Sequence, residues 1–191
     1  MTKKFYATVE NYLSKKDNTR PVLRTIQRNK TGQQFILDGF TAYVFKKHVP
    51  EFDALPQMGK HDPIGIEHIL PRNPQMAPAS VQDCNVWKNI PKFAGYLKSV
   101  DEYNRDTNPV HIFGKLFSAR MIAVATEILG NKIETFSISQ GKPLEGVLIE
   151  TPDIDAFLLP LRFDGEKETN TVEKRTQAFV ASLNKSTKEA A

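Results

Sequence analysis

Apolar and polar residues repeat along this chain with two different periods, and each change of period marks an element. Phe5, Tyr6, Val9, Tyr12 and Leu13 recur at the three-and-four spacing of one helix face, with lysines at both ends, which predicts an amphipathic helix over about 3–16. Asp17-Asn18-Thr19-Arg20-Pro21 ends it, because proline disfavours a helical conformation at Arg20. The period then shortens to two. Val22, Arg24 and Ile26 alternate with Leu23 and Thr25 and predict a strand, and Asn29-Lys30-Thr31-Gly32 predicts a turn. Gln34–Leu37 and Phe40–Phe45 are rich in β-formers and flank Asp38-Gly39, a strong hairpin signal because an Asp-Gly turn matches the twist of paired strands.

From Val49 to Pro109 the pattern breaks up. Eight of the twelve prolines fall here (Pro50, Pro56, Pro63, Pro71, Pro74, Pro78, Pro91 and Pro109), and proline at this density interrupts long elements. Loops are expected, with short strands near Ile64–Leu70 and a helical turn near Phe93–Val100. Periodicity returns at Phe117, which opens a helix running to Leu129. Ser118 is a suitable N-cap, Phe117 and Ile122 a hydrophobic staple, and Gly130 a suitable stop. Strands follow at Ile133–Ser139, Leu144–Glu150 and Asp155–Leu161, with turns at Gly141–Pro143 and Thr151-Pro152-Asp153. Val172, Thr176, Phe179, Val180 and Leu183 mark a last amphipathic helix. Two helix-plus-three-strand blocks thus flank a proline-rich spacer. The expected class is α+β: one domain over 1–163, its helices on one side of antiparallel sheet, with a loop-rich insertion at about 48–112. Residues 164–191 read as a polar linker and C-terminal helix.

Composition narrows the classes. A chain of 191 residues, 40% hydrophobic and 25% charged, fits one globular domain with an appendage. It has no run of apolar residues long enough for a membrane span, its N-terminus does not read as a secretory leader, and Cys84 alone cannot form an internal disulfide, so a cytoplasmic address is expected. The net charge is +4, but its distribution is uneven. Residues 1–48 hold ten Lys/Arg against three Asp/Glu, a net +7, and the remainder holds 16 against 19, a net −3. Such asymmetry suits a surface that meets an anion, while dispersed lysines equally serve to solvate a helix face and loop ends.

Catalytic constellations are scarce. His61 and His68 are seven residues apart, and neither they nor His48 and His111 have the spacing or the cysteine partners of a metal site. Cys84 has no histidine near it in sequence and reads as a buried or bystander thiol. Asp153 and Asp155 could pair as carboxylates and Asp38 could act as a general base, but all three sit at turns, where acidic residues ordinarily lie. No Gly-rich phosphate loop, nucleophile elbow or zinc-protease motif is present. The expectation is a protein without catalytic activity, metal or cofactor. The residues placed to meet duplex phosphates are Lys4, Lys15, Lys115 and Arg120, on or beside the two predicted helices, and four such contacts would give weak, sequence-independent, salt-sensitive binding.

Two stretches carry a family likeness. Asp17-Asn18-Thr19-Arg20-Pro21-Val22-Leu23-Arg24-Thr25-Ile26, followed by Leu37-Asp38-Gly39-Phe40-Thr41-Ala42, resembles the bacterial sliding-clamp domain, where a helix leads into an Arg-Pro-x-Leu strand and then an Asp-Gly hairpin. Phe117-Ser118-Ala119-Arg120-Met121-Ile122, then Pro143-Leu144-Glu145-Gly146-Val147-Leu148-Ile149 and Phe157-Leu158-Leu159-Pro160-Leu161-Arg162, resembles the closing half of such a domain. The likeness covers roughly 3–47 and 113–163, and the order of its motifs is more specific than any one of them. It implies a DNA-clamp fold of the β-subunit type that tethers a replicative polymerase to its template. Clamps of that family close a ring of six such domains with helices facing the DNA. This chain has one such domain where the bacterial subunit has three, so a ring would need six copies, and its 48–112 spacer has no counterpart. The implied role is a clamp-like protein of DNA replication or repair, of phage or mobile-element origin. Its expected partners are duplex DNA, replication proteins such as a polymerase, and further copies of itself. The alternative is a protein-interaction module that keeps the fold without a ring or DNA binding, using the spacer or the helix at 172–184. A small hydrolase built on His61 or His68 would need those side chains clustered with a carboxylate.

Overall fold

Pairing register explains the architecture. In the computed structural model, which describes residues 3–14, 25–29, 31–37, 39–55, 70, 75–104, 108–138, 146–161 and 166–189, the class is α+β. The elements in chain order are α1 (Lys3–Ser14), β1 (Gln27–Arg28), β2 (Gln34–Leu37), β3 (Thr41–Phe45), β4 (Ala77–Pro78), α2 (Val81–Ser99), β5 (Pro109–Ile112), β6 (Lys115–Ser118), α3 (Ala119–Leu129), β7 (Thr135–Ile138), β8 (Val147–Glu150), β9 (Ile154–Leu158) and α4 (Glu166–Glu189). The chain divides into two compact units interleaved in sequence. One comprises 1–77, 127–129 and 135–159, and the other 78–126, 130–134 and 160–191.

The first unit holds a seven-stranded sheet of order β1-β2-β3-β9-β8-β7-β4. The hairpin expected around Asp38-Gly39 forms, with Leu37 opposite Ala42, although Asp38 itself lies outside the described residues. β3 then pairs antiparallel with β9, Tyr43 standing opposite Ala156 at the centre of the ladder. Alternation puts Phe35, Leu37, Ala42, Val44, Leu148 and Phe157 into one buried cluster, with Leu70 and Leu159 packed at its margin. The opposite face presents Phe45 to Phe5 of α1 and to Phe52 of a 3-10 turn at Pro50–Ala54, with ring centroids 6.2 and 4.9 Å away. Phe5, Val9 and Leu13 are the buried positions of α1, as its periodicity requires. Gln34 is buried but satisfied: its amide donates to Val49 O at 3.1 Å and accepts from Val49 N–H at 2.6 Å, which fixes the turn after β3. Gly146 permits a close approach. A Cβ there would lie 2.5 Å from Phe157 Cζ and 2.8 Å from Leu158 O.

The second unit differs most from the expectation of loops. Where a helical turn at Phe93–Val100 was expected, α2 runs for 19 residues with Pro91 inside it. Three local features outweigh that proline. Ser80 Oγ accepts from Asp83 N–H at 3.0 Å while the Asp83 carboxylate accepts from Ser80 N–H, a capping box. Val86, Trp87, Ile90, Phe93 and Leu97 form a continuous buried stripe. At the far end Asp101 takes the left-handed conformation (φ +56°), with Glu102 N–H on Leu97 O and Asp101 N–H on Lys98 O, a Schellman closure. The carbonyl that Pro91 leaves without an N–H partner is that of Trp87, and the Thr126 hydroxyl stands 3.5 Å from it.

The helix expected to open at Phe117 begins instead at Ala119. Phe117 and Ser118 are held in β6 by pairing with Val110 and Pro109, and Ser118 precedes the helix without a side-chain cap hydrogen bond. α2 and α4 pack together through Phe93, Tyr96 and Phe179. α4 is tied to β5 by Thr176 Oγ1, which accepts from His111 N–H at 3.1 Å, and by Arg175, which donates to Pro109 O at 2.7 Å. The short strands expected near Ile64–Leu70 and the turn at Gly141–Pro143 lie outside the described residues, Leu70 excepted.

Candidate nucleic-acid interface

The β5–β6 hairpin leads directly into α3, and its turn shows how that junction is fixed. Phe113 and Gly114 both have positive φ, +56° and +70°, as a two-residue hairpin of mirror-image type requires. Glycine takes this conformation readily and phenylalanine does not, so Phe113 needs outside support. Its ring is buried beside Trp87, centroids 6.0 Å apart, and its N–H donates to Asp83 Oδ1 at 2.6 Å. One carboxylate therefore caps α2 and holds the hairpin turn. Trp87 Nε1 donates to Gly130 O at 2.9 Å, which anchors the chain where α3 ends.

On this support stand Lys115, half-buried in β6, and Arg120, exposed in the first turn of α3. No acidic residue occupies that first turn. A cation there gains nothing from the helix dipole, whose positive end favours anions, so the dipole does not account for Arg120. Ala119 N–H is taken up by Asn108 O at 3.0 Å, while the helix dipole and a guanidinium both favour a phosphate at this end. Arg120 makes no ion pair among the described residues. Of the other two expected contacts, Lys4 lies in α1 with its side chain outside the described residues, and Lys15 lies outside them altogether. Lys115 and Arg120 belong to the second unit, and α1 to the first.

Folding also removes part of the basic excess of residues 1–48. Arg28 pairs with Asp53, Lys46 Nζ lies 2.8 Å from Asp155 Oδ1, and Lys47 Nζ lies 3.4 Å from Asp153 Oδ1. His48 Nε2 lies 3.2 Å from Asp53 Oδ2. Asp153, in the turn before β9, and Asp155, within β9, thus serve as counter-ions. Asp38, His61 and His68 lie outside the described residues, and no group of three His, Cys, Asp or Glu able to hold a metal occurs among the described ones. Cys84 is half-buried, its Sγ 3.5 Å from Ile133 O. No described helix is long and apolar enough to cross a membrane. Comparison with protein-family models, curated proteins and solved structures finds no match.

Proposed function

We propose that this chain is a non-catalytic, DNA-clamp-like protein of DNA replication or repair, of phage or mobile-element origin, that works in the cytoplasm and contacts the duplex backbone. The observation that carries the reading is the order of the sheet. Two three-strand meanders, β1-β2-β3 and β7-β8-β9, each preceded in the chain by a helix, meet at the antiparallel β3–β9 pair in palindromic order. That is the repeated helix-plus-three-strand plan of the family that the sequence resembles. Arg120 and Lys115, at the entry to the second of those helices, supply the phosphate contacts, joined by Lys4 and Lys15. Binding is weak per copy and sequence-independent, since phosphate contacts position a protein without reading bases. Copies of the chain and replication proteins such as a polymerase are the partners this role requires.

Arg120→Glu separates the function from the fold, because its two effects have opposite signs. An acidic side chain in the first turn of α3 favours the helix by about 0.3–1 kcal/mol, so the variant unfolds at equal or higher denaturant. The same change places a negative charge against phosphate. Fluorescence anisotropy on a labelled duplex at low salt is expected to show affinity reduced about tenfold, equivalent to about 1.4 kcal/mol. Unchanged duplex affinity in Arg120→Glu and in Lys115→Glu would remove the DNA-facing assignment.

A further inference from the structure

The outward face of α2 belongs to the stretch that the sliding-clamp likeness does not cover, and it is built from residues that weaken a solitary helix. Lys88 and Lys92 are both exposed one turn apart, and like charges at that spacing repel. No ion pair engages either of them among the described residues. Pro91 and Gly95, exposed between and beside them, are the two poorest residues for a helix interior. A Cβ on Gly95 would meet nothing within 4 Å, so packing within the chain does not demand glycine there. Lys98 is also exposed, its Nζ 4.9 Å from the centre of the Tyr103 ring. The helix's acidic residue, Asp83, is committed to the cap and to the β5–β6 turn.

Exposed apolar groups stand at the two ends of the same helix. Of the five large hydrophobics exposed among the described residues, three are Val81 (80%), Val100 (43%) and Tyr103 (42%), at the start of α2 and just past its end. Lysines without a counter-ion among the described residues suit an anionic partner. A duplex would satisfy them but leave the apolar groups in water, whereas an acidic segment with its own apolar side chains would cover both. Gly95 and Pro91 keep the strip between the lysines low enough for another backbone to approach closely. We propose that the outward face of α2 docks an acidic amphipathic helix of a partner protein, with Lys88, Lys92 and Lys98 pairing its carboxylates. This inference stands apart from the clamp reading, which uses α3 and β6.

The test uses the full chain and three labelled probes at low salt: a synthetic Glu/Leu amphipathic helix of about 20 residues, chosen to match the length of α2, the same peptide with Lys for Glu, and a DNA duplex. The acidic peptide is expected to bind, the basic one not. Lys88→Glu/Lys92→Glu and the milder Lys88→Gln/Lys92→Gln are expected to weaken the acidic peptide by at least about tenfold and about threefold, a graded response to charge. Tyr103→Ser is expected to weaken it at high salt, where the apolar contact remains. Duplex affinity should survive the Lys88/Lys92 variants, and peptide affinity should survive Arg120→Glu, so failure of one reading leaves the other standing. Trp87 emission confirms that each variant is folded. The proposal is overturned if the acidic peptide does not bind, if it binds the Lys88/Lys92 variants as well as the parent, or if those variants lose the duplex instead. It is also overturned if light scattering shows self-association that the same variants abolish, since the occupant would then be a second copy.

Discussion

At the scale of single residues, Asp83 joins two elements. It accepts from Ser80 N–H and Phe113 N–H, and so couples the start of α2 to a hairpin turn that holds phenylalanine in the left-handed region. Asp83→Ala removes the reciprocal half of the capping box while Ser80 Oγ keeps its N–H, and it leaves the Phe113 N–H without its acceptor, for a loss of about 1–3 kcal/mol. Asp83→Asn keeps an acceptor oxygen and is expected to lose less. Trp87 is the chain's single tryptophan, fully buried against Phe113, so its emission during denaturant unfolding reads both variants directly. Equal stability of parent and Asp83→Ala would refute the coupling. A second residue-scale expectation concerns pH. Lys132 donates to Glu134 and lies beside it, which holds the Glu134 carboxyl below its ordinary value of 4.5. A carboxyl that is more acidic when folded binds fewer protons in the native state, so its contribution is present at neutral pH and fades as pH falls through the folded value. Both side chains are fully exposed, so salt screens the pair. Carbon-detected NMR titration is expected to place the Glu134 midpoint below that of an unpaired glutamate, and Lys132→Ala or high salt to bring it back up.

At the scale of elements, legibility followed how local the deciding forces are. α1, the β2–β3 hairpin and β7 to β9 announce themselves in runs of helical or alternating period, and the burial of Phe5, Val9 and Leu13 or of Phe35 and Val44 follows from that period alone. α2 is masked in the sequence by Pro91 and the prolines that precede it, while its caps signal a helix. The signal was present in Ser80-x-x-Asp83 followed by Val86, Trp87, Ile90, Phe93 and Leu97, a capping box ahead of an apolar stripe. Its end was harder to read, since Asp101 rather than glycine takes the left-handed position. β5 and β6 were hidden for a related reason. A Phe-Gly turn is a poor hairpin signal, and the support it needs comes from Asp83, thirty residues away. Of the candidate interface, Arg120 and Lys115 were legible as basic residues near a predicted helix, whereas the lysines of α2 vanished with the helix itself. Pro91 supplies the test at this scale. Pro91→Ala restores the N–H that would reach Trp87 O and is expected to stabilise the second unit by on the order of 1–3 kcal/mol, seen as a higher denaturation midpoint by Trp87 emission. A loss of stability would mean that the proline, and not the caps and stripe, sets the course of α2.

At the scale of the whole molecule, charge is segregated along the sequence and partly recombined in space. The net +7 of residues 1–48 suits either a surface that meets an anion or dispersed solvating lysines, and Arg28, Lys46 and Lys47 pair with Asp53, Asp155 and Asp153 from the acidic remainder. Four groups are assigned to phosphate here, and counterion release turns their number into a measurable slope. Each neutralised phosphate of a B-form duplex contributes about −0.9 to the slope of log affinity against log salt, so Lys4, Lys15, Lys115 and Arg120 together give about −3.6 per chain, and Lys115 with Arg120 alone about −1.8. Assembly multiplies the contacts without changing any one of them. The slope is therefore expected to stay between these two values at protein concentrations where light scattering reads a monomer, and to steepen in proportion when copies associate around DNA. Arg120→Glu should flatten the monomer slope by about one contact. A monomer slope well beyond −4 would bring the lysines of α2 into the duplex contact and count against their assignment to a protein partner. A slope near zero would deny phosphate contact altogether and leave protein interaction as the role of the fold.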